Sequence, residues 1–173
     1  MLVVAATELE LSEVRRFDTF VCGIGPVEAA AQTARMLAER EPNAVLHVGI
    51  AGSRELAPLT VVLGGESIYS DLDAKIPVVD RLEPDAALFE RIRAALPDAI
   101  VASIGTSAAV GATRAEVEAM EGFGVLRACA LAGVPAVELR VVSNAIGEPD
   151  RAKWKFLESF ELLGATLDRL DVV

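Results

Sequence analysis

The strongest constraint on this chain is its alternation of short apolar runs with amphipathic helical stretches. Leu2-Val3-Val4-Ala5-Ala6 is apolar at every position, the mark of a strand covered on both faces. Phe17 to Cys22 is a second run and leads into Gly23-Ile24-Gly25-Pro26. Proline suits a first helical position, where the N–H it lacks would have no partner. A helix is expected from Pro26 to about Arg40, with Val27, Ala30, Ala34 and Leu37 on one face. Ala44 to Val48 reads as the third strand, followed by Gly49-Ile50-Ala51-Gly52-Ser53. Leu59 to Tyr69 reads as strand, with Gly64-Gly65 marking a bulge or bend. Pro84 opens a helix in which Leu88, Ile92 and Leu96 repeat every four residues. Ala99 to Ile104 is strand and Gly105 to Thr113 a loop of small residues, while 115–121 fits strand or helix equally. A helix from Gly122 to Ala132 is closed by Gly133 as C-cap with Pro135 beyond. Val134 to Val142 is the last core strand. Asp150 to Leu170 forms a final amphipathic helix, with Trp154, Leu157, Leu163, Leu167 and Leu170 near one stripe. Strands alternating with helices predict a three-layer α/β/α sandwich.

At 173 residues the chain has room for one substantial core, so a single domain over 1–173 is expected. Apolar residues make up 53% and charged residues 24%, a balance of compact rather than disordered chains. The net charge of -10 repels phosphate backbones over most of the surface, which argues against a nucleic-acid partner. A small ligand, neutral or locally steered, is easier to reconcile. No basic segment precedes an apolar run, and no uninterrupted stretch reaches ~18 apolar residues, so no membrane partner and a cytoplasmic location are expected. Cys22 and Cys129 sit in apolar sequence and read as buried reduced thiols. His47 is the lone histidine; with no further histidine or cysteine cluster, a metal site is not expected, and a strand histidine with a structural partner is.

Gly23-x-Gly25 between strand and helix has the start of a dinucleotide fingerprint. Glu28 stands where the third glycine would fall, and no acidic residue ends the next strand, so a tight structural turn is the better reading. Residues 138–152, with Trp154 just beyond, run from an apolar strand straight into polar and turn-forming positions. Arg140, Ser143, Asn144 and Asp150 should therefore come near one rim. Open α/β sheets bind ligands at the carboxyl ends of their strands, and Met120-Glu121-Gly122 and Glu8-Leu9-Glu10 also follow such ends. Taken alone, Glu10 reads as a solvated residue on a first helical turn, and Asn144 as a turn residue. Glu121 lies between Met120 and Phe123, which points to burial, and a buried carboxylate needs donors; a ligand's hydroxyl pair is one supply. Arg140 sits within an apolar strand and should face a carboxylate, Glu10 or Glu121.

Three blocks resemble the purine nucleoside phosphorylase and nucleosidase superfamily. They are Gly23-Ile24-Gly25 opening a helix, Gly49-Ile50-Ala51-Gly52-Ser53 after a strand, and Glu118-Ala119-Met120-Glu121-Gly122 before Gly133-Val134-Pro135. A fourth, Val142-Ser143-Asn144-Ala145-Ile146-Gly147 through Asp150-Arg151-Ala152-Lys153-Trp154, resembles the futalosine hydrolase family in particular. The resemblance covers Leu2 to about Phe156 and implies a central mixed, mostly parallel sheet. It further implies that Glu121 accepts hydrogen bonds from ribose hydroxyls and that Met120 packs beside the sugar. Glu10 would position and deprotonate the attacking water with Arg140 near it. Ile50, Ala51, Gly52 and Val110 would line the sugar and base, and Arg151 is a candidate, with Lys153 and Arg114, to meet a substrate carboxylate. For Arg151 an ion pair with Asp150 or Glu148 is an equal reading.

Relatives that release adenine carry an aspartic acid at the position of Asn144. An amide can donate to N7 or O6 but does not readily transfer a proton, which suits a 6-oxopurine. Glu8 and Glu10 after the first strand, with no arginine before Arg15, favour water over phosphate as nucleophile. The implied activity is hydrolysis of futalosine to hypoxanthine and dehypoxanthine futalosine, in menaquinone biosynthesis. No metal or organic cofactor is implied, and a homodimer or higher homo-oligomer is expected. Two alternatives stand beside it. One is a methylthioadenosine- or aminodeoxyfutalosine-type nucleosidase releasing adenine; the other is a catalytically silent purine-binding module of the same fold.

Overall fold

The computed structural model describes residues 1–170; the last three positions of the expected 1–173 domain lie outside the described residues. The elements run β1 (Leu2–Ala5), β2 (Asp18–Val21), α1 (Pro26–Arg40), β3 (Val45–Ser53), β4 (Val61–Tyr69), β5 (Arg81–Leu82) and α2 (Ala86–Ala95). They continue as β6 (Ile100–Thr106), β7 (Val117–Ala119), α3 (Gly122–Ala132), β8 (Ala136–Ala145), a 3-10 turn (Arg151–Lys153) and α4 (Phe156–Asp168). The chain is an α/β fold on a mixed sheet. β1 pairs in parallel with β2 and β3, β3 with β8, β4 with β6, and β6 with β7. Among the described residues β3–β7, β4–β5 and β4–β8 are the antiparallel pairs.

Helices cover both faces because β1 is apolar on both. Val3 and Ala5 point into a core with Leu88, Ile92, Leu96, Leu163 and Leu167 of the α2/α4 side. Leu2 and Val4 point into the other, with Ala29, Met36, Val125 and Cys129 of α1 and α3. β8 pairs with β3 on one side and β4 on the other, while β3, β7, β6 and β4 also join in series. The five strands thereby close into a ring beside the open arm β2–β1. A register shift between Gly64 and Glu66 places the expected bulge at Gly65.

Several sequence expectations need correction. α1 has the expected ends, but it buries Ala29, Thr33, Met36 and Leu37, leaving Val27 and Ala34 exposed. Its orientation is set by α3, where a Cβ on Gly124 would come within 2.5 Å of the Pro26 carbonyl oxygen. β3 does not stop at Val48; it continues through Ser53 against β8, which itself continues to Ala145. Residues 115–121 resolve into the short strand β7. The final helix begins at Phe156 rather than Asp150, and Leu157 is exposed, whereas Phe160, Leu163 and Leu167 are buried. Gly164 lets α4 lie against the turn after β1, since a Cβ there would meet Glu13 Cβ at 2.6 Å.

Candidate active site

Three strand ends and the start of α3 converge on Arg140. This side chain is fully buried in the middle of β8, level with Gly49 of β3 and Val62 of β4. Its Nε donates to Glu138 Oε1 at 2.9 Å. Nη2 lies 3.7 Å from Glu121 Oε2 and also donates to His47 Nε2. Nη1 finds no hydrogen-bond partner among the described residues. Nη1 and Glu10 Oε1 are the two atoms nearest to where a Cβ on Gly49 would project, facing one another across that space without forming an ion pair. Glycine is needed at 49 for that reason: a methyl group would be driven between cation and carboxylate.

Glu10 is buried on the turn after β1, not solvated and not on a helix. Its Oε2 accepts from the Thr7 backbone N–H and Thr7 Oγ1, both at 3.1 Å, and its Oε1 from the Ile50 N–H at 3.1 Å. These three donors fix that carboxylate against the middle of β3. Glu121 is buried at the residue preceding α3. It accepts from the Gly25 N–H at 3.1 Å and its neighbour's, Met120 N–H, at 3.3 Å. The Gly23-x-Gly25 turn is thus structural, with both glycines at positive φ, and it lends one N–H to Glu121. Burial raises the Glu121 pKa against the lowering influence of Arg140 and the Gly25 N–H; Glu10 and Glu138 push it further up.

His47 has the structural partner expected of it and a second one besides. Because Arg140 can only donate, His47 Nε2 accepts, which leaves Nδ1–H to donate to the Val4 carbonyl at 3.0 Å. Burial first, and then Arg140, hold its pKa well below 6.5, so the ring stays neutral. Arg140 itself is kept charged: burial opposes the charge, but Glu138, Glu121 and Glu10 outweigh it.

Asn144 lies within β8, opposite Gly52, and is buried rather than in a turn. Ser143 Oγ donates to its Oδ1 at 2.7 Å, the shorter of the hydroxyl's two contacts. With Oδ1 so occupied, Nδ2 donates one N–H to the Ala145 carbonyl at 3.0 Å and has another to give. Gly52 leaves room for it, since a Cβ there would meet Asn144 Nδ2 at 3.2 Å. Ile50, Ala51 and Gly52 therefore run from the Glu10 carboxylate to the Asn144 amide along one strand.

The remaining residues expected at a site are less closely gathered. Met120 is partly buried next to Glu121. Val110 is 61% exposed at the tip of the loop after β6. Glu118 anchors that loop, accepting from the Gly111 and Thr113 N–H groups at 2.6 and 3.0 Å. Arg151 makes neither expected ion pair. Its guanidinium lies 5.3 Å from the Trp154 ring centroid, and Lys153 pairs with Glu148 instead. Glu138, His47, Thr7 and Glu118 were not among the expected site residues. The alternation Glu138-Leu139-Arg140 on one strand face was the available signal for Glu138, and the parallel register of His47 with Glu138 becomes visible only once β3 and β8 are paired.

Comparison with known proteins follows the same outline. Residues 19–170 match the family model of the Phosphorylase superfamily. Futalosine hydrolase of Streptomyces coelicolor is 33% identical over 183 aligned positions, covering 89% of this chain and 78% of that protein. Futalosine hydrolase of Thermus thermophilus is 31% identical, with 86% and 78% covered. Among solved structures, futalosine hydrolase of Helicobacter pylori superposes with a TM-score of 0.86 at 17% identity, over 98% of this chain and 95% of that one. The 5'-methylthioadenosine/S-adenosylhomocysteine nucleosidase of the same organism gives 0.86 at 17%, over 98% and 96%. At that identity the two structures speak for the fold, whereas the first two relatives match in sequence along most of their length. The chain belongs to the Phosphorylase superfamily and, within it, to the futalosine hydrolase family.

Proposed function

We propose that this chain is a nucleosidase that hydrolyses the N-glycosidic bond of futalosine, releasing hypoxanthine and dehypoxanthine futalosine, a step of menaquinone biosynthesis. The observation that carries the reading is the placement of Glu121 and Glu10 around one buried guanidinium, the first at ion-pair distance and the second across the space at Gly49, with the Asn144 amide further along the strand that carries Arg140. Glu121 accepts from the ribose hydroxyls and Met120 packs beside the sugar. The C1'–N9 bond breaks with its electron pair going to the purine, leaving an oxocarbenium-like ribosyl cation. Water held between Glu10 and Arg140 Nη1 adds to C1' and gives its proton to Glu10. Asn144 Nδ2 donates to N7 or O6 of the departing hypoxanthine, and one such preorganised donor contributes roughly 3–4 kcal/mol. Phosphate is disfavoured as nucleophile, since the cation at the centre is already shared by Glu138, Glu121 and Glu10. Ile50, Ala51, Gly52 and Val110 line the nucleoside, and Arg151 is a candidate partner for its carboxylate. In this reading residues 1–173 form one nucleosidase domain, cytoplasmic and homo-oligomeric, that needs no metal or organic cofactor.

The test is chromatography of bases released from futalosine, inosine and methylthioadenosine, with and without phosphate. Hypoxanthine from futalosine, at a rate indifferent to phosphate, is expected. Adenine as the preferred product would favour the adenine-releasing alternative, and no base from any substrate would favour a silent binding module. Asn144→Asp should shift preference toward 6-aminopurines, because a carboxylic acid can protonate N7; an unchanged preference makes residue 144 structural.

A further inference from the structure

The position of Arg140 needs an explanation that the two flanking carboxylates do not supply. Glu121 is only at ion-pair distance from it, and Glu10 spends its oxygens on Thr7 and the Ile50 N–H. The closest carboxylate hydrogen bond to the guanidinium is that of Glu138, fully buried two residues upstream on the same strand face. Glu138 Oε2 has no hydrogen-bond partner among the described residues, so a buried charge is kept there for one bond to Nε. A residue serving only the core would be better replaced by an apolar one, since an incompletely satisfied buried ion is costly.

The fold also makes space for it. A Cβ on Gly122, the first residue of α3, would collide with both Glu138 carboxylate oxygens, and a Cβ on Gly64 of β4 would come 3.3 Å from the Glu138 Cβ. Gly122 is helical, where glycine costs roughly 1 kcal/mol relative to alanine, so its presence follows from what it admits. Glu138 on Nε and His47 on Nη2 account for two of the three guanidinium nitrogens. Nη1 is left unpaired among the described residues, across the side-chain space of Gly49 from Glu10 Oε1.

We propose that Glu138 is a positioning residue for hydrolysis: lodged in the gap left by Gly122, it fixes the rotation of Arg140 so that Nη1 faces the Glu10 carboxylate across the space that Gly49 leaves open. The inference rests on the nucleosidase reading for its kinetic consequence but not for its geometry, so two readouts are used. One is steady-state hypoxanthine release from futalosine. The other is the Arg140 Nε–H resonance in nitrogen-15-labelled protein, assigned by its loss in Arg140→Lys.

Glu138→Ala alone opens a cavity, so the decisive variant is Glu138→Ala combined with Gly122→Ala, in which the second methyl group refills part of the space. That double variant should melt as a folded protein. Its kcat should fall about 100-fold, the scale of a misplacement near 1 Å, with KM changed only a few-fold. Its Arg140 Nε–H signal should move to the position of a solvated arginine. Glu138→Gln, which keeps an acceptor for Nε, should recover kcat to within about tenfold of the parent and retain the shifted signal. A folded double variant with kcat within threefold of the parent and an unmoved Nε–H signal would overturn the proposal. If the parent releases no base at all, the nucleosidase reading fails separately, and the resonance alone decides whether Glu138 sets Arg140.

Discussion

At the centre of the site one guanidinium stands among three buried carboxyl groups, and it stays charged against its own burial because of them. Burial keeps the Glu121 carboxyl protonated to a higher pH than an ordinary glutamate. If Glu121 must be ionised to accept from ribose hydroxyls, the acid limb of kcat/KM should fall above the usual carboxylate range near 4.5. Glu121→Gln should lower kcat/KM by about 100-fold or more and lose that limb; a rate profile unchanged in shape would remove Glu121 from sugar binding. His47 gives the opposite kind of linkage. The fold holds it neutral, whereas the unfolded chain takes up a proton below 6.5. Stability therefore declines as pH falls below 6.5, by up to about 1.4 kcal/mol per pH unit. Urea midpoints of His47→Asn measured from pH 7 to 5 should show a shallower slope than those of the parent, even though the variant starts less stable. These residues differed in how far the sequence disclosed them. Glu121 and Arg140 were legible because a charge among apolar neighbours demands a partner. Glu138 and His47 were not, because each has a bland reading until strand register sets it against the arginine.

Among the elements, two ends with a chemical stop signal were legible to the residue. α1 begins at Pro26, and α3 ends at Gly133 in the left-handed conformation. By contrast α2, expected to open at Pro84, starts at Ala86 because the Asp85 side chain caps it. Where the sequence turned glycine-rich, as in β3, or polar, as in β8, inside a continuing strand, the ends were misjudged: the strands carry on through Gly52 and Asn144, since backbone pairing does not require apolar side chains facing a site. The buried face of α1 was misjudged by a similar omission, because helix rotation is set by the partner and not by the helix's own pattern. Gly124 carries that contact. Gly124→Ala should force α1 from α3 at Pro26 and destabilise the protein by roughly 1–3 kcal/mol, the usual cost of overpacking. Thermal melts check this, and a melting temperature equal to the parent's would show that the two helices slide apart freely.

For the molecule as a whole, layer order followed from the alternation of runs, but ring closure did not, because nothing in composition tells β8 to pair with two strands at once. Packing of α1 and α3 against β1 places both thiols in the interior. Burial pushes Cys22 and Cys129 each up to about 12, so neither should react with an aromatic disulfide at pH 8 while the protein is native. Both should react in guanidinium, and a native thiol signal would mean that the core opens more easily than its packing indicates.

The double pairing of β8 has a consequence for synthesis. When the ribosome has delivered α3 but nothing further, β3 and β4 each carry an edge whose intended neighbour does not yet exist, and Arg140 has not reached its acids. A stalled or truncated product of that length would hold two adhesive borders toward solvent, a hazard for clumping with its copies. Emergence of the stretch up to Ala145 seals both borders and assembles the charged centre in a single event.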